Sequence, residues 1–112
     1  MIHLIHGMNA MADWETAHAK ARYGERYASL HEANGVLIEE MQEGWDEGKA
    51  LSTLSDDLTR AIRAGEAATI RDVLEAIKQR AILAACEYTQ VAAVAQKALD
   101  GMGGDDNAQA EP

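Results

Sequence analysis

Residues 29–47, SLHEANGVLIEEMQEGWDE, contain the pattern that decides the fold. Ser29 can accept a hydrogen bond at a helix N-terminus, and Glu32 three residues later completes a capping box. Apolar residues then recur every three or four positions, at Leu30, Ala33, Leu37, Met41 and Trp45. This spacing places them on one face of an α-helix. The stretch therefore predicts an amphipathic helix that packs against another helix.

Acidic side chains border this apolar face. Glu40, Glu43 and Glu47 lie three and four residues apart, so their side chains share one edge of the helix. Like charges at this spacing destabilise an isolated helix by about 0.2–0.5 kcal/mol per pair. Two interpretations stay open from these residues alone. The carboxylates form a solvated acidic surface, as charge runs usually do, or they bind a hard cation such as Mg²⁺.

The segments around this helix also have helical patterns. Residues 1–24 predict a leader followed by a short helix, capped by Asp13 and ending near Tyr23 before Gly24. Gly44 and Gly48 weaken the end of the second helix. A further apolar spacing, at Leu51, Leu54, Leu58 and Ile62, predicts an extra short helix near residues 51–64, which is expected to stop at Gly65.

The last helix is expected to be the longest, from Ala67 or Thr69 to about Leu99. Its second half, 81–98, is rich in small residues, which favours close approach of another helix and an oligomer interface. Glycines follow, and residues 102–112 are expected to form a flexible acidic tail.

Composition narrows the class of protein. At 112 residues the chain is expected to form one domain; its sole proline is Pro112 and it has no phenylalanine, so we expect an all-α fold. The formal net charge of −9 disfavours nucleic-acid partners, which attract clustered Lys and Arg.

Cys86 is the single cysteine and is expected to be a small buried side chain. With neither a signal peptide nor a membrane span in the pattern, we expect a cytoplasmic protein without a membrane partner.

Glu87 is the second informative carboxylate, because it lies among the apolar residues of the last helix. If buried, it needs a hydrogen-bond partner, a metal ion or a raised pKa. Gln90 lies about one turn later on the same helical edge. Hydrogen bonding within an interface and metal binding both remain consistent with this pair.

The two acidic segments together carry a resemblance. Glu39-Glu40-Met41-Gln42-Glu43 followed by Glu87-Tyr88-Thr89-Gln90 resembles the E-E-x-x-E and E-x-x-D motifs of the MazG-like, all-α nucleoside triphosphate pyrophosphohydrolase superfamily. The similarity covers roughly residues 23–99, and the wider sequence around the motifs is similar to small MazG-like proteins common in phages and prophages. It implies a MazG-like helical bundle over 25–101, completed by dimerisation or by a dimer of dimers.

The resemblance also implies a site and a reaction. Mg²⁺, or Mn²⁺, would be held by Glu40, Glu43, Glu87 and Gln90, and Glu39 would add a ligand or orient the attacking water. The substrate would be a ribo- or deoxyribonucleoside triphosphate, cleaved to the monophosphate and pyrophosphate. Gln90 stands where the family usually has Asp, so the alternative is a catalytically impaired bundle that binds a nucleotide or a protein. Candidate phosphate-binding residues, by location only, are Lys49, Arg71, Lys78 and Arg80.

Overall fold

A computed structural model describes residues 1–102 of the chain. It contains three α-helices, α1 at Ile2–Tyr23, α2 at Leu30–Ala64 and α3 at Ala67–Met102. No strand occurs within these residues. The all-α prediction is confirmed.

The start of α2 follows the predicted capping chemistry. The backbone N–H of Glu32 donates to the Ser29 hydroxyl at 3.1 Å, so Ser29 is the N-cap. In return, the Glu32 carboxylate accepts a longer bond of 3.3 Å from the N–H of Ala28, one residue before the cap. The capping residue was therefore read correctly, and the reciprocal bond reaches Ala28 instead of Ser29.

The turn between α2 and α3 is built around Gly65, at a φ of 68°. Its N–H donates to the carbonyl of Ile62, and the N–H of Glu66 donates to the carbonyl of Ala61, which together form a Schellman motif. Glycine is favoured there because a side chain strains the left-handed backbone. The predicted stop at Gly65 is confirmed.

Helix lengths differ from the expected ones in two places. Residues 1–24 contain one continuous helix from Ile2, instead of a leader followed by a short helix from Asp13. Residues 51–64 are the second half of α2, which continues through Gly44 and Gly48 without a break. Each glycine costs about 1 kcal/mol in a helix, and good helix formers on both sides offset that cost. The tail was predicted to begin at residue 102. Met102 is the last residue of α3, and residues 103–112 lie outside the residues that the structure describes.

The chain divides into two compact units. The three-helix unit comprises Met1–Met41 and the described part of Tyr88–Pro112. Inside it, Ala33 and Ala93 are buried, as is Thr16, whose hydroxyl donates to the carbonyl of Ala12. An ion pair of 2.5 Å between Lys20 and Asp100 joins α1 to α3. This unit therefore has contacts between helices in both its apolar and its polar parts.

The hairpin unit, Gln42–Glu87, consists of the end of α2, the Gly65 turn and the start of α3. Arg80 on α3 pairs with Glu47 on α2 at 3.4 Å, as expected for antiparallel helices joined by a short turn. Ala61 is the one apolar side chain reported as buried within this unit. Large apolar side chains in the unit stay about half exposed or more, namely Trp45, Ile62, Leu74, Ile82 and Leu83.

Cys86 also lies in the hairpin unit and is exposed, so the expectation of a buried thiol was wrong. The surrounding residues Ala81, Ala85 and Tyr88 are exposed as well, because this face of α3 has no covering helix in the described chain. No helix within residues 1–102 combines the length and the apolar character needed to cross a membrane.

Candidate metal centre

Three carboxylates from the two acidic motifs converge in the structure. One carboxylate oxygen from each of Glu40, Glu43 and Glu87 lies within 4.8 Å of the other two. Glu40 and Glu43 are three residues apart on α2, and Glu87 comes from α3. The sequence predicted these residues from two separate segments, and the fold brings them together as a cluster that could hold a metal ion.

Burial differs among the three side chains. Glu40 and Glu87 are half-buried, whereas Glu43 is exposed to solvent. Both half-buried carboxylates take part in further interactions. The cluster thus combines two half-buried carboxylates with a third that is open to water.

The three carboxylates of the cluster repel one another when all of them are charged. Two like charges 4.8 Å apart repel by about 1 kcal/mol in water and by about 3 kcal/mol at an effective dielectric constant of 20. A bound cation or a proton offsets this repulsion. The acidic cluster is therefore a destabilising feature by itself and a stabilising one when a cation is bound.

The donor set fits a hard divalent cation. Carboxylate oxygens are the ligands that Mg²⁺ and Mn²⁺ prefer, and Mg²⁺ also retains several waters. Octahedral ligands 2.0–2.1 Å from Mg²⁺ are about 3 Å apart when adjacent and about 4 Å when opposite. The oxygens of the cluster, within 4.8 Å of one another, lie somewhat farther apart than this. The three side chains therefore match the type of protein ligand that such an ion takes.

The two other residues of the predicted site have different surroundings. Glu39 precedes Glu40 on α2 and is exposed. Gln90 is half-buried, and its amide donates a hydrogen bond of 3.0 Å to the carboxylate of Glu15 on α1. The structure therefore groups Glu40, Glu43 and Glu87, and it gives Gln90 a different partner.

Glu15 is a residue that sequence reasoning missed. It is half-buried and accepts the Gln90 hydrogen bond, so a carboxylate lies beside the position where the family motif has Asp. No spacing along the chain relates Glu15 to Gln90, which are 75 residues apart. Only the packing of α1 against α3 brings them together.

The candidate phosphate-binding cations have different surroundings. Arg80 is paired with Glu47, and Lys49 lies 3.8 Å from Asp46. Arg71 and Lys78 are exposed on α3. Both line a shallow depression of about 430 Å³ together with Ala67, Ile70, Leu74 and Glu75. All of its lining residues belong to one helix, so it is an open surface and not a closed pocket.

Two aromatic residues that follow the acidic motifs are open to solvent. Trp45 is 61% exposed and Tyr88 is 50% exposed. Both are expected to be core or interface residues; they are not in a core of the single chain, and an interface role stays a prediction. His31 is also exposed, at the start of α2.

Another polar contact lies between Tyr27 and Lys97 in the three-helix unit. The Lys97 ammonium lies 4.2 Å from the centre of the Tyr27 ring, and Lys97 is only 4% exposed. Burial raises the pKa of the Tyr27 phenol, and the negative charges of Glu32 and Glu40 raise it further. Tyr27 therefore stays neutral over the physiological range and presents its ring to a cation.

Comparisons with protein-family models, with curated proteins and with solved structures found no match to this chain. Functional inference therefore depends on the site and on the motifs themselves.

Proposed function

We propose that this chain is a MazG-like nucleoside triphosphate pyrophosphohydrolase, which cleaves a ribo- or deoxyribonucleoside triphosphate to the monophosphate and pyrophosphate with the help of Mg²⁺ or Mn²⁺. The observation that carries the proposal is the convergence of Glu40, Glu43 and Glu87 within 4.8 Å. These residues come from the two motifs that resemble the family's metal-binding pair. The alternative, an acidic surface of α2 that is only solvated, gives no reason for a carboxylate of α3 to lie beside the carboxylates of α2.

The proposed roles follow from position and exposure. Glu40, Glu43 and Glu87 hold the cation, which when bound supplies positive charge to the phosphate oxygens and lowers the pKa of a water. Glu39, exposed one residue before Glu40, orients the attacking water or accepts its proton. Gln90 keeps the Glu15 carboxylate in place through its 3.0 Å hydrogen bond. A triphosphate brings several negative charges, so the cation is also what makes an acidic site compatible with its substrate.

The proposed assembly is a homodimer or a dimer of dimers. In the hairpin unit, Trp45 and Ile82 are 61% and 56% exposed, and two helices alone cannot cover both of their apolar faces. A second hairpin of the same kind would complete a four-helix bundle and bury these side chains. This arrangement supports the MazG-like bundle implied by the motifs.

A second candidate function is supported by one specific observation. Gln90 replaces the expected anionic ligand with a neutral amide, and that amide is already hydrogen-bonded to Glu15. A catalytically impaired MazG-like bundle would bind nucleotide or a protein partner without turnover. In that case, nucleotide and metal raise the melting temperature while no pyrophosphate is released.

The experiment that tests the proposal measures pyrophosphate release from a panel of canonical and modified nucleoside triphosphates, with Mg²⁺ or Mn²⁺. We expect metal-dependent release that falls at least 100-fold in Glu40→Gln and Glu87→Gln, because each change removes an anionic ligand. Glu75→Gln is the matched control, since Glu75 is an exposed carboxylate on α3 outside the cluster.

Three outcomes separate the alternatives. Release that is lost in both cluster variants and kept in the control supports the enzyme. Release that is equal in all variants contradicts the assignment of these ligands. Thermal stabilisation by metal and nucleotide without release favours the binding protein, and Gln90→Asp is then the first substitution to test for recovery of activity.

A further inference from the structure

Gln90 differs from the carboxylates of the predicted ligand set because its two polar ends are not equivalent. The amide has a carbonyl oxygen that accepts and a nitrogen that donates, and only the oxygen can bind a cation. An aspartate, which the family motif has at this position, offers two equivalent oxygens. Gln90 can therefore serve a metal ion in only one of its two amide orientations.

Glu15 selects one of these orientations. The Gln90 Nε2 donates to the Glu15 Oε2 at 3.0 Å, and both residues are half-buried. An ionised carboxylate only accepts hydrogen bonds, so it bonds to the nitrogen end of the amide and not to the oxygen end. A hydrogen bond to a charged acceptor is about twice as strong as a neutral one. The bond therefore holds the amide nitrogen on the side of α1.

The spacing of Glu87 and Gln90 explains why this orientation matters for the acidic cluster. The two residues are three apart on α3, which places their Cβ atoms about 5–6 Å apart on one edge of the helix. Carboxylates attract amide N–H groups, so an amide that Glu15 does not hold would turn its nitrogen toward Glu87. Its N–H groups would then compete with a cation for the same oxygens.

A role as a direct ligand fits Glu15 less well. Among the described residues, the carboxylate oxygens that lie within 4.8 Å of one another belong to Glu40, Glu43 and Glu87, and Glu15 is not one of this group. The observed contact of Glu15 is with the side chain of Gln90. Its effect on a bound cation would therefore pass through the amide.

We infer that Glu15 is a positioning residue, which holds the Gln90 amide so that its carbonyl oxygen is a fourth oxygen ligand beside Glu87. The inference rests on the metal centre of the proposed function. It assigns a role to a residue of α1 that lies outside both acidic motifs. It also explains how a chain with Gln90 in place of Asp keeps an oxygen available at that position.

The test measures the affinity of the full chain for Mn²⁺, from the electron paramagnetic resonance signal of the free ion. Glu15→Met removes the acceptor and keeps a good helix former. We expect about ten-fold weaker binding, as is typical when a residue that orients a metal ligand is lost. Asp13→Asn is the matched control, because it removes an exposed carboxylate from the same helix. It should weaken binding by less than about two-fold, since exposed charges are screened.

The same substitution in a Gln90→Asp chain separates orientation from charge. The two oxygens of an aspartate are equivalent, so residue 90 then needs no orienting partner. Glu15→Met should therefore weaken Mn²⁺ binding by no more than about two-fold in this background, against about ten-fold in the chain with Gln90. An equal loss in both backgrounds would mean that Glu15 acts through its charge alone, which overturns the inference.

The remaining outcomes distinguish this inference from the proposed function. Binding that is lost in Glu40→Gln and unchanged in Glu15→Met keeps the metal centre and overturns the positioning role alone. A wild-type chain that does not bind Mn²⁺ overturns the metal centre, and the inference with it. If Glu15→Met does not fold, Glu15→Gln decides. It keeps a weaker, neutral acceptor, so we expect about three-fold weaker binding with Gln90 and no change with Asp at this position.

Discussion

The three-helix unit and the hairpin unit have about equally regular helices and very different tertiary contacts. In the three-helix unit, Lys20 pairs with Asp100, Gln90 bonds to Glu15, and Lys97 lies over Tyr27. In the hairpin unit, a polar contact between the helices is the 3.4 Å pair of Arg80 and Glu47. Its other recorded ion pairs join residues three apart on one helix.

Helix formation and helix stabilisation are therefore separate problems in this chain. Local pairs and a Schellman turn are sufficient to define the hairpin's shape, yet each such surface pair contributes only a few tenths of a kcal/mol. Most helical stability in proteins comes from burying an apolar face. The hairpin unit leaves Trp45 and Ile82 largely exposed, so its stability is expected to depend on a second copy.

The largest expected effect comes from removing that partner. Ile82→Asp places a charge on an exposed apolar face of the hairpin, and we expect at least a ten-fold weaker dimer because a charge buried without a partner is costly. Light scattering after size-exclusion chromatography measures the assembly. Gln79→Glu adds a charge at an exposed polar position of the same helix and should leave the dimer intact. A wild-type chain that is monomeric at all working concentrations would show that the hairpin needs no second copy.

The next effect concerns the polar contact of the three-helix unit. Gln90→Asp replaces the amide donor with a carboxylate that faces Glu15, and we expect a loss of about 1–3 kcal/mol in the free energy of unfolding without metal. Urea denaturation measures it. Adding Glu15→Gln restores a donor opposite the new carboxylate and should recover most of the loss. Equal stability of the single variant and the wild type would mean that the bond does not hold α1 to α3.

A smaller effect is expected at the hairpin turn. Gly65→Ala forces a side chain into the left-handed region at φ 68°, which costs about 1 kcal/mol. No atom lies within 4 Å of the added methyl group, so the cost is conformational and not steric contact with a neighbour. Gly65→Asn should cost less, because asparagine tolerates this conformation. Identical urea midpoints for the wild type and the alanine variant would contradict this account of the turn.

The smallest effect is the pH dependence of the Lys20–Asp100 pair. Hydrogen bonds from Lys20 and Gln96 hold the pKa of Asp100 below its ordinary value of 3.8. A lowered pKa in the folded state gives stability that is fully present above the unfolded value and is lost as the pH falls through the folded one. Asp100→Asn should therefore lower the melting temperature slightly at pH 7 and make no difference at strongly acidic pH. A difference that persists in acid would point to packing, not charge.

Several elements were predictable because their causes are local. Ser29 caps α2 through a bond to the backbone three residues away, and Gly65 ends it through bonds of similar range. The prediction of a separate helix at residues 51–64 was wrong for a local reason as well. The helix formers around Gly44 and Gly48 keep α2 continuous through both glycines. The start of α1 was missed because α1 begins at Ile2 after Met1, whose side chain makes no capping hydrogen bond.

The candidate site was predictable in part for the same reason. Glu40 and Glu43 share an edge of one helix by spacing alone, and the motif resemblance added Glu87. That their oxygens lie within 4.8 Å depends on how α2 pairs with α3. The partner of Gln90 and the burial of Lys97 had no signal in the spacing, because Glu15 and Tyr27 lie on distant segments of the chain.

Local sequence is enough to specify the all-α class, the N-cap at Ser29, the stop at Gly65 and the acidic edge of α2, because helix periodicity and capping act over a few residues. Tertiary structure alone decided that Glu87 joins Glu40 and Glu43, that Gln90 bonds to Glu15, and that Lys97 is buried at the start of α2. These contacts join residues far apart in the chain. Their formation depends on helix register and on which apolar faces are covered, and neither is encoded in the spacing of any single segment.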